Sequence, residues 1–96
     1  MPVLWIHDFR VVTGRIDALL TRRAELIERL RRSAPGLTET RLTRLENGSY
    51  TDTWRWASAE QMLTALRDLP GFGRTALFPG LTLDDTAETG EIVDER

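Results

Sequence analysis

The sequence predicts an α+β domain, a four-stranded antiparallel sheet with two helices on one face. Two observations carry most of that prediction. Residues 16–33 have their apolar positions at helical spacing, and two alternating stretches flank the turn signal Asn47-Gly48. A second helix start and a final short alternating segment complete the set.

Val3 to Val12 reads as the first strand. Val3, Trp5, His7, Phe9 and Val11 share one face, while Leu4, Ile6, Asp8, Arg10 and Val12 share the other. Both faces are largely apolar. Thr13-Gly14-Arg15 breaks the strand. Ile16 to Ser33 then places Ile16, Leu19, Leu20, Ile27 and Leu30, with Ala24 among them, on one helical stripe. Glu25 with Arg29 and Glu28 with Arg32 stand four apart in the favourable order. The arginines of this helix therefore read as a solvated face supported by its own ion pairs. Pro35 cannot continue the helix, and Gly36 suits a turn.

Leu37–Glu46 and Ser49–Ala57 form a hairpin around Asn47-Gly48, a pair that suits the two positive φ angles of a type I′ turn. Ser58 and Gln61 have capping-box spacing and open a second helix bearing Met62, Leu63, Leu66 and Leu69. Pro70-Gly71-Phe72-Gly73 stops it, residues 77–81 form an apolar loop, and Thr86 to Val93 is the closing strand. Strand, helix, strand, strand, helix, strand is the split βαβ order of ferredoxin-like folds. Leu4, Ile6 and Val12 would leave the second sheet face needing cover. The same face of a second copy supplies it, giving a two-fold homodimer.

A chain of 96 residues is read as one domain, 1–96. Hydrophobic residues at 41% and charged residues at 29% are globular values and argue against disorder. The chain has no cysteine, which removes disulfides, thiolate nucleophiles and cysteine metal sites. A single histidine without ligand spacing makes a metal site unexpected. A net charge of −2 is too near neutral for a general nucleic-acid binder. Residues 1–12 lack a basic leader region, and Asp8 and Arg10 interrupt the apolar run. Neither a signal peptide nor a membrane span is expected, and a cytoplasmic location is.

A two-residue turn would set Tyr50 opposite Leu45, Asp52 opposite Thr43, Trp54 opposite Arg41 and Trp56 opposite Glu39. Those eight residues would share one face, leaving Arg44, Leu42, Thr40, Thr51, Thr53 and Arg55 on the other. Arg41 could then stack on Trp54. Two readings stand. Either the tryptophans are core, with the charges pairing at its rim, or they wall an apolar cavity for a flat aromatic ligand. His7 is likewise either a hydrogen-bonded core residue or the best proton acceptor in the chain. No glycine-rich phosphate loop and no nucleophile elbow is present.

The segments "FRVVTGRIDALL", "APGLTETRLTRLENGSYTDTWRWASAEQML" and "TAETGEIVDER" resemble the antibiotic-biosynthesis monooxygenase family of dimeric α+β barrels. The markers are Phe9, Val11, Gly14, Pro35, Gly36, Trp56 and Ser58. The resemblance implies a homodimer with a pocket in each subunit. It also implies oxidation of a phenolic, polyketide-like aromatic substrate by O₂ without metal, flavin or other cofactor. On that reading His7, Asp52, Tyr50 and Arg41 are the candidates for proton transfer, and Trp54, Trp56, Trp5 and Phe9 for substrate binding. The haem-degrading branch uses a first-strand asparagine with a tryptophan and a histidine on the second helix. This chain has His7 and Ala65 at two of those positions and no helix-2 histidine, so haem degradation is disfavoured. The alternatives to a monooxygenase or related cyclase are a non-catalytic small-molecule-binding module and a dimer with a filled pocket.

Overall fold

The computed structural model describes residues 1–68 and 77–96. The chain runs β1 (Val3–Val11), α1 (Ile16–Ser33), β2 (Leu37–Arg44), β3 (Tyr50–Trp56), α2 (Ala59–Arg67) and β4 (Thr82–Glu91). The four strands form one antiparallel sheet in the order β2-β3-β1-β4. This is the split βαβ arrangement the sequence predicts. Leu69 and the 70–73 stop signal lie outside the described residues. No described helix is long and apolar enough to cross a membrane.

The alternation of β1 and β3 decides where the core lies. Val3, Trp5, His7, Phe9 and Tyr50, Asp52, Trp54, Trp56 are all buried, and the intervening residues 4, 6, 8, 51, 53 and 55 are half-buried. Against the first face α1 packs Leu19, Ile27 and Leu30, and α2 packs Met62, Ala65 and Leu66. Leu20 and Leu63 point outward instead, and Ala24 is exposed. The inward stripe of α1 is Leu19, Arg23, Leu26, Ile27 and Leu30, so an arginine stands in the middle of it. Neither Glu25–Arg29 nor Glu28–Arg32 closes as an ion pair among the described residues.

The hairpin has a different register from the one a type I′ turn would impose. Gly48 has φ +87°, but Asn47 is not among the positive-φ residues. Leu45 N–H donates to Ser49 O and Gly48 N–H donates to Leu45 O, so three residues, 46–48, form the loop. That is a type I turn closed by a glycine bulge. Asn47 Oδ1 stabilises it by accepting from the Ser49 amide and hydroxyl at 2.9 and 2.6 Å. The extra residue shifts β2 by one, so Arg44 opposes Tyr50, Leu42 opposes Asp52 and Thr40 opposes Trp54. Arg41, Glu39 and Thr43 consequently lie on the other sheet face. The slip of one residue sets half-buried Leu42 beside buried Asp52, moves Arg41 and Glu39 to the exposed face, and leaves Arg44 at the rim over Tyr50.

Gly36 is needed for proximity rather than for a turn angle. A Cβ there would lie 2.8 Å from Gln61 Cβ, and the Gly36 carbonyl accepts from Ala57 N–H at 2.9 Å. The sheet face away from the helices is apolar mainly along Leu4 and Ile6, with Leu83, 54% exposed, farther along it opposite Arg10. Arg41, Arg55, Glu39, Glu88 and several threonines share that face, so it is more polar than β1 alone suggests.

β4 starts four residues earlier than expected and carries a bulge. Its pairing with β1 shifts between Asp8 and Arg10, and Asp84 has φ +55°.

Candidate active site

Three of the proposed proton-transfer residues sit on the helix-facing side of the central strands, and each is held differently. His7 is 0% exposed on β1, with its ring 5.1 Å from Trp5 and 4.8 Å from Phe9. Its Nε2 lies 2.7 Å from Asp85 Oδ2 on β4. Thr82 Oγ1 donates to the same carboxylate, 2.8 Å from Oδ2 and 3.0 Å from Oδ1. Among the described residues His7 Nδ1 has no hydrogen-bond partner, although it is buried. A buried orphan of this kind costs about 1–3 kcal/mol, and a hydroxyl placed against it would recover that energy.

Asp52, opposite His7 on β3, is also 0% exposed. Arg23 reaches down from α1 and binds it through two parallel bonds, Nε to Oδ2 and Nη2 to Oδ1, both 2.9 Å. Trp54 Nε1–H donates to Oδ1 at 3.0 Å. Three N–H groups therefore occupy this carboxylate, two of them from the one Arg23 guanidinium. Asp52 anchors the helix to the sheet and has little capacity left for a substrate proton.

Tyr50 stacks on Phe9 at 6.0 Å, and Arg44 covers it, with its guanidinium carbon 5.4 Å from the ring centre. Arg44 Nε–H donates to the Tyr50 hydroxyl at 2.8 Å, leaving that hydroxyl's own proton available. The cation–π pair expected between Arg41 and Trp54 is thus replaced by Arg44 and Tyr50. Arg41 lies on the far face, bound to exposed Glu39 at 2.7 Å, because the glycine bulge turns it away. It does not join the other candidates.

Of the aromatic candidates, Trp5 and Phe9 flank His7 directly. Trp54 and Trp56 are fully buried in the core under α1 and α2, and Trp56 Nε1 has no partner among the described residues. These two serve as packing rather than as an open wall. A cleft of about 410 Å³ does open elsewhere, between the C-terminal end of α1 and α2, lined by Leu30, Gly36, Gln61 and Ala65 among others. None of the candidate residues borders it.

Arg23, Asp85 and Thr82 were missed in the sequence. Arg23 had a signal: it stands four residues from both Leu19 and Ile27, inside the apolar stripe. Asp85 had none, since only a bulge brings it to this face.

No protein-family model and no curated protein sequence matches the chain. Solved structures do. A mutant of SnoaB, a cofactor-independent oxygenase from Streptomyces nogalater, is similar at TM-score 0.73 and 19% identity, over 98% of this chain and 95% of that one. MhuD, a haem degrader from Mycobacterium tuberculosis, gives 0.72 and 20% over 98% of both chains. A protein assigned as an antibiotic biosynthesis monooxygenase from Bordetella bronchiseptica gives 0.72 and 18%, over 96% of this chain and 97% of that one. The fold of the chain is the one these proteins share.

Proposed function

We propose that the protein is a cofactor-independent oxygenase that oxidises a phenolic, polyketide-like aromatic substrate with O₂. The observation that supports this best is the buried, unpartnered Nδ1 of His7, backed on its other nitrogen by the Asp85 carboxylate. A base needs a free lone pair and a means of stabilising the proton it gains. This imidazole has both.

In this reading a substrate hydroxyl meets Nδ1 and gives up its proton, and the imidazolium so formed is paired with Asp85. The substrate anion passes an electron to O₂, and recombination gives a peroxide on the ring carbon. Protonation and loss of water leave the quinone, so that CH₂ and O₂ become C=O and H₂O. Tyr50, whose hydroxyl accepts from Arg44 and retains its proton, is the candidate donor to the peroxide. Trp5 and Phe9 provide the flat contacts. Because His7 is fully covered, the substrate reaches it only when side chains around the ring yield. The two-fold dimer, with sheets packed through Leu4, Ile6 and Leu83, belongs to the same reading.

A non-catalytic binding module is the second reading. It is favoured by the satisfied state of Asp52 and the full burial of Trp54 and Trp56. Incubation with an anthrone separates the two: the oxygenase consumes O₂ and yields the quinone, whereas a binding module returns the compound unchanged.

A further inference from the structure

We infer that Asp85 is a positioning residue that fixes the tautomer of His7, placing the ring hydrogen on Nε2 and leaving Nδ1 as the bare acceptor, and that the β4 bulge exists in the geometry to deliver it. The tautomer follows from the contacts alone. The role of Nδ1 in turnover rests on the oxygenase reading.

A neutral imidazole carries one hydrogen, and a carboxylate can only accept. The 2.7 Å contact between Nε2 and Asp85 Oδ2 therefore requires the hydrogen on Nε2. The opposite tautomer would set two lone pairs against each other there and strand an N–H at Nδ1, which has no acceptor among the described residues. Thr82 also donates to this carboxylate, reaching both oxygens, so a second contact besides His7 orients it.

Strand parity shows what the bulge contributes. Side chains alternate in a regular strand, so Thr82 and Asp85, three residues apart, would face opposite ways. Their hydrogen bonds show that they share a side. The pairing of Val11 with Thr82 and of His7 with Ala87 contains one extra β4 residue, which restores the match. Asp84 takes the left-handed conformation, φ +55°, that accommodates it. Its own carboxylate points out to solvent, 3.9 Å from exposed Arg10. Asp84 thus supplies backbone shape and Asp85 supplies the chemistry.

His7 is the only histidine, so a long-range ¹H–¹⁵N spectrum of the ¹⁵N-labelled protein shows one imidazole. At a pH where the ring is neutral, the unaltered protein should show Nε2 protonated and Nδ1 bare. The isosteric Asp85→Asn variant should weaken that preference and populate both tautomers, because an amide can donate as well as accept. Asp84→Gly, which keeps access to positive φ and removes the charge, should leave the spectrum unchanged. A hydrogen on Nδ1 in the unaltered protein, or an Nε2–H tautomer that survives Asp85→Asn intact, overturns the inference. A shift in Asp84→Gly overturns the division of labour between the two aspartates. If the tautomer is as stated and no anthrone is oxidised, the oxygenase reading fails and the positioning role stands. If turnover is seen, Asp85→Asn should lower kcat at least tenfold with KM little changed.

Discussion

Asp52 is buried with a two-pronged guanidinium on its oxygens and an indole N–H beside them. Taking two charges out of water is costly, and their attraction repays that cost only while both partners remain. Arg23 is 14% exposed at its side chain and Asp52 is fully covered, so solvent screens the pair weakly. Arg23→Ala should therefore destabilise the fold by about 3–5 kcal/mol, read as a lower urea midpoint with an unchanged slope. The double change Arg23→Met with Asp52→Leu should cost less than the single one, since no charge is stranded. At this scale the sequence was partly legible. The alternation from Tyr50 to Trp56 identified the inward residues correctly, because strand parity is local. Which charges would meet them depended on the helix rotation and the hairpin register, and neither is local.

At the scale of the elements, the turn between α1 and β2 shows how one small residue fixes a helix. Gly36→Ala would press a methyl against Gln61 Cβ at 2.8 Å and Cδ at 2.9 Å, at the first turn of α2. The Cβ is held by its own helix, so the strain cannot be relieved by a rotamer alone. The expected loss is about 1–3 kcal/mol, measured by thermal or urea unfolding. The C-terminal tail offers a second case. Arg55 donates two hydrogen bonds to Glu95, at 2.7 and 2.6 Å, and these hold the Glu95 carboxyl below its ordinary range against a smaller opposing effect of desolvation. A depressed carboxyl contributes stability above its unfolded pKa and loses it as pH falls through the folded value. The Ile92 amide, which donates to Pro2 O at 3.0 Å, should thus keep its protection factor through the ordinary carboxylate range and lose protection on its acid side; Glu95→Gln should remove that dependence. The hairpin is where sequence reading went astray. Asn-Gly serves both a two-residue turn and the end of a three-residue loop, and the two differ in whether Leu42 or Arg41 faces the helices, which is not a local property.

For the whole molecule, the element order alone gave the sheet and its helical layer, because strand and helix periodicities are written in the sequence. Its assembly is less plain. The open sheet face carries Leu4, Ile6 and Leu83 among charged and hydroxyl side chains, and the tail's Ile92 and Glu95 border it. On the dimer proposal, light scattering should give twice the 11.0 kDa chain mass, and Ile6→Glu should return it to a monomer. A single-chain mass for the unaltered protein would count against sheet-to-sheet pairing. The central claim is the chemistry of one buried imidazole. Oxygen uptake with a dihydroxyanthrone tests it most directly, comparing the protein with His7→Gln and with buffer. The account predicts quinone formation by the unaltered protein and a fall of about 10²–10⁴-fold on losing the base. Equal rates in all three would contradict it.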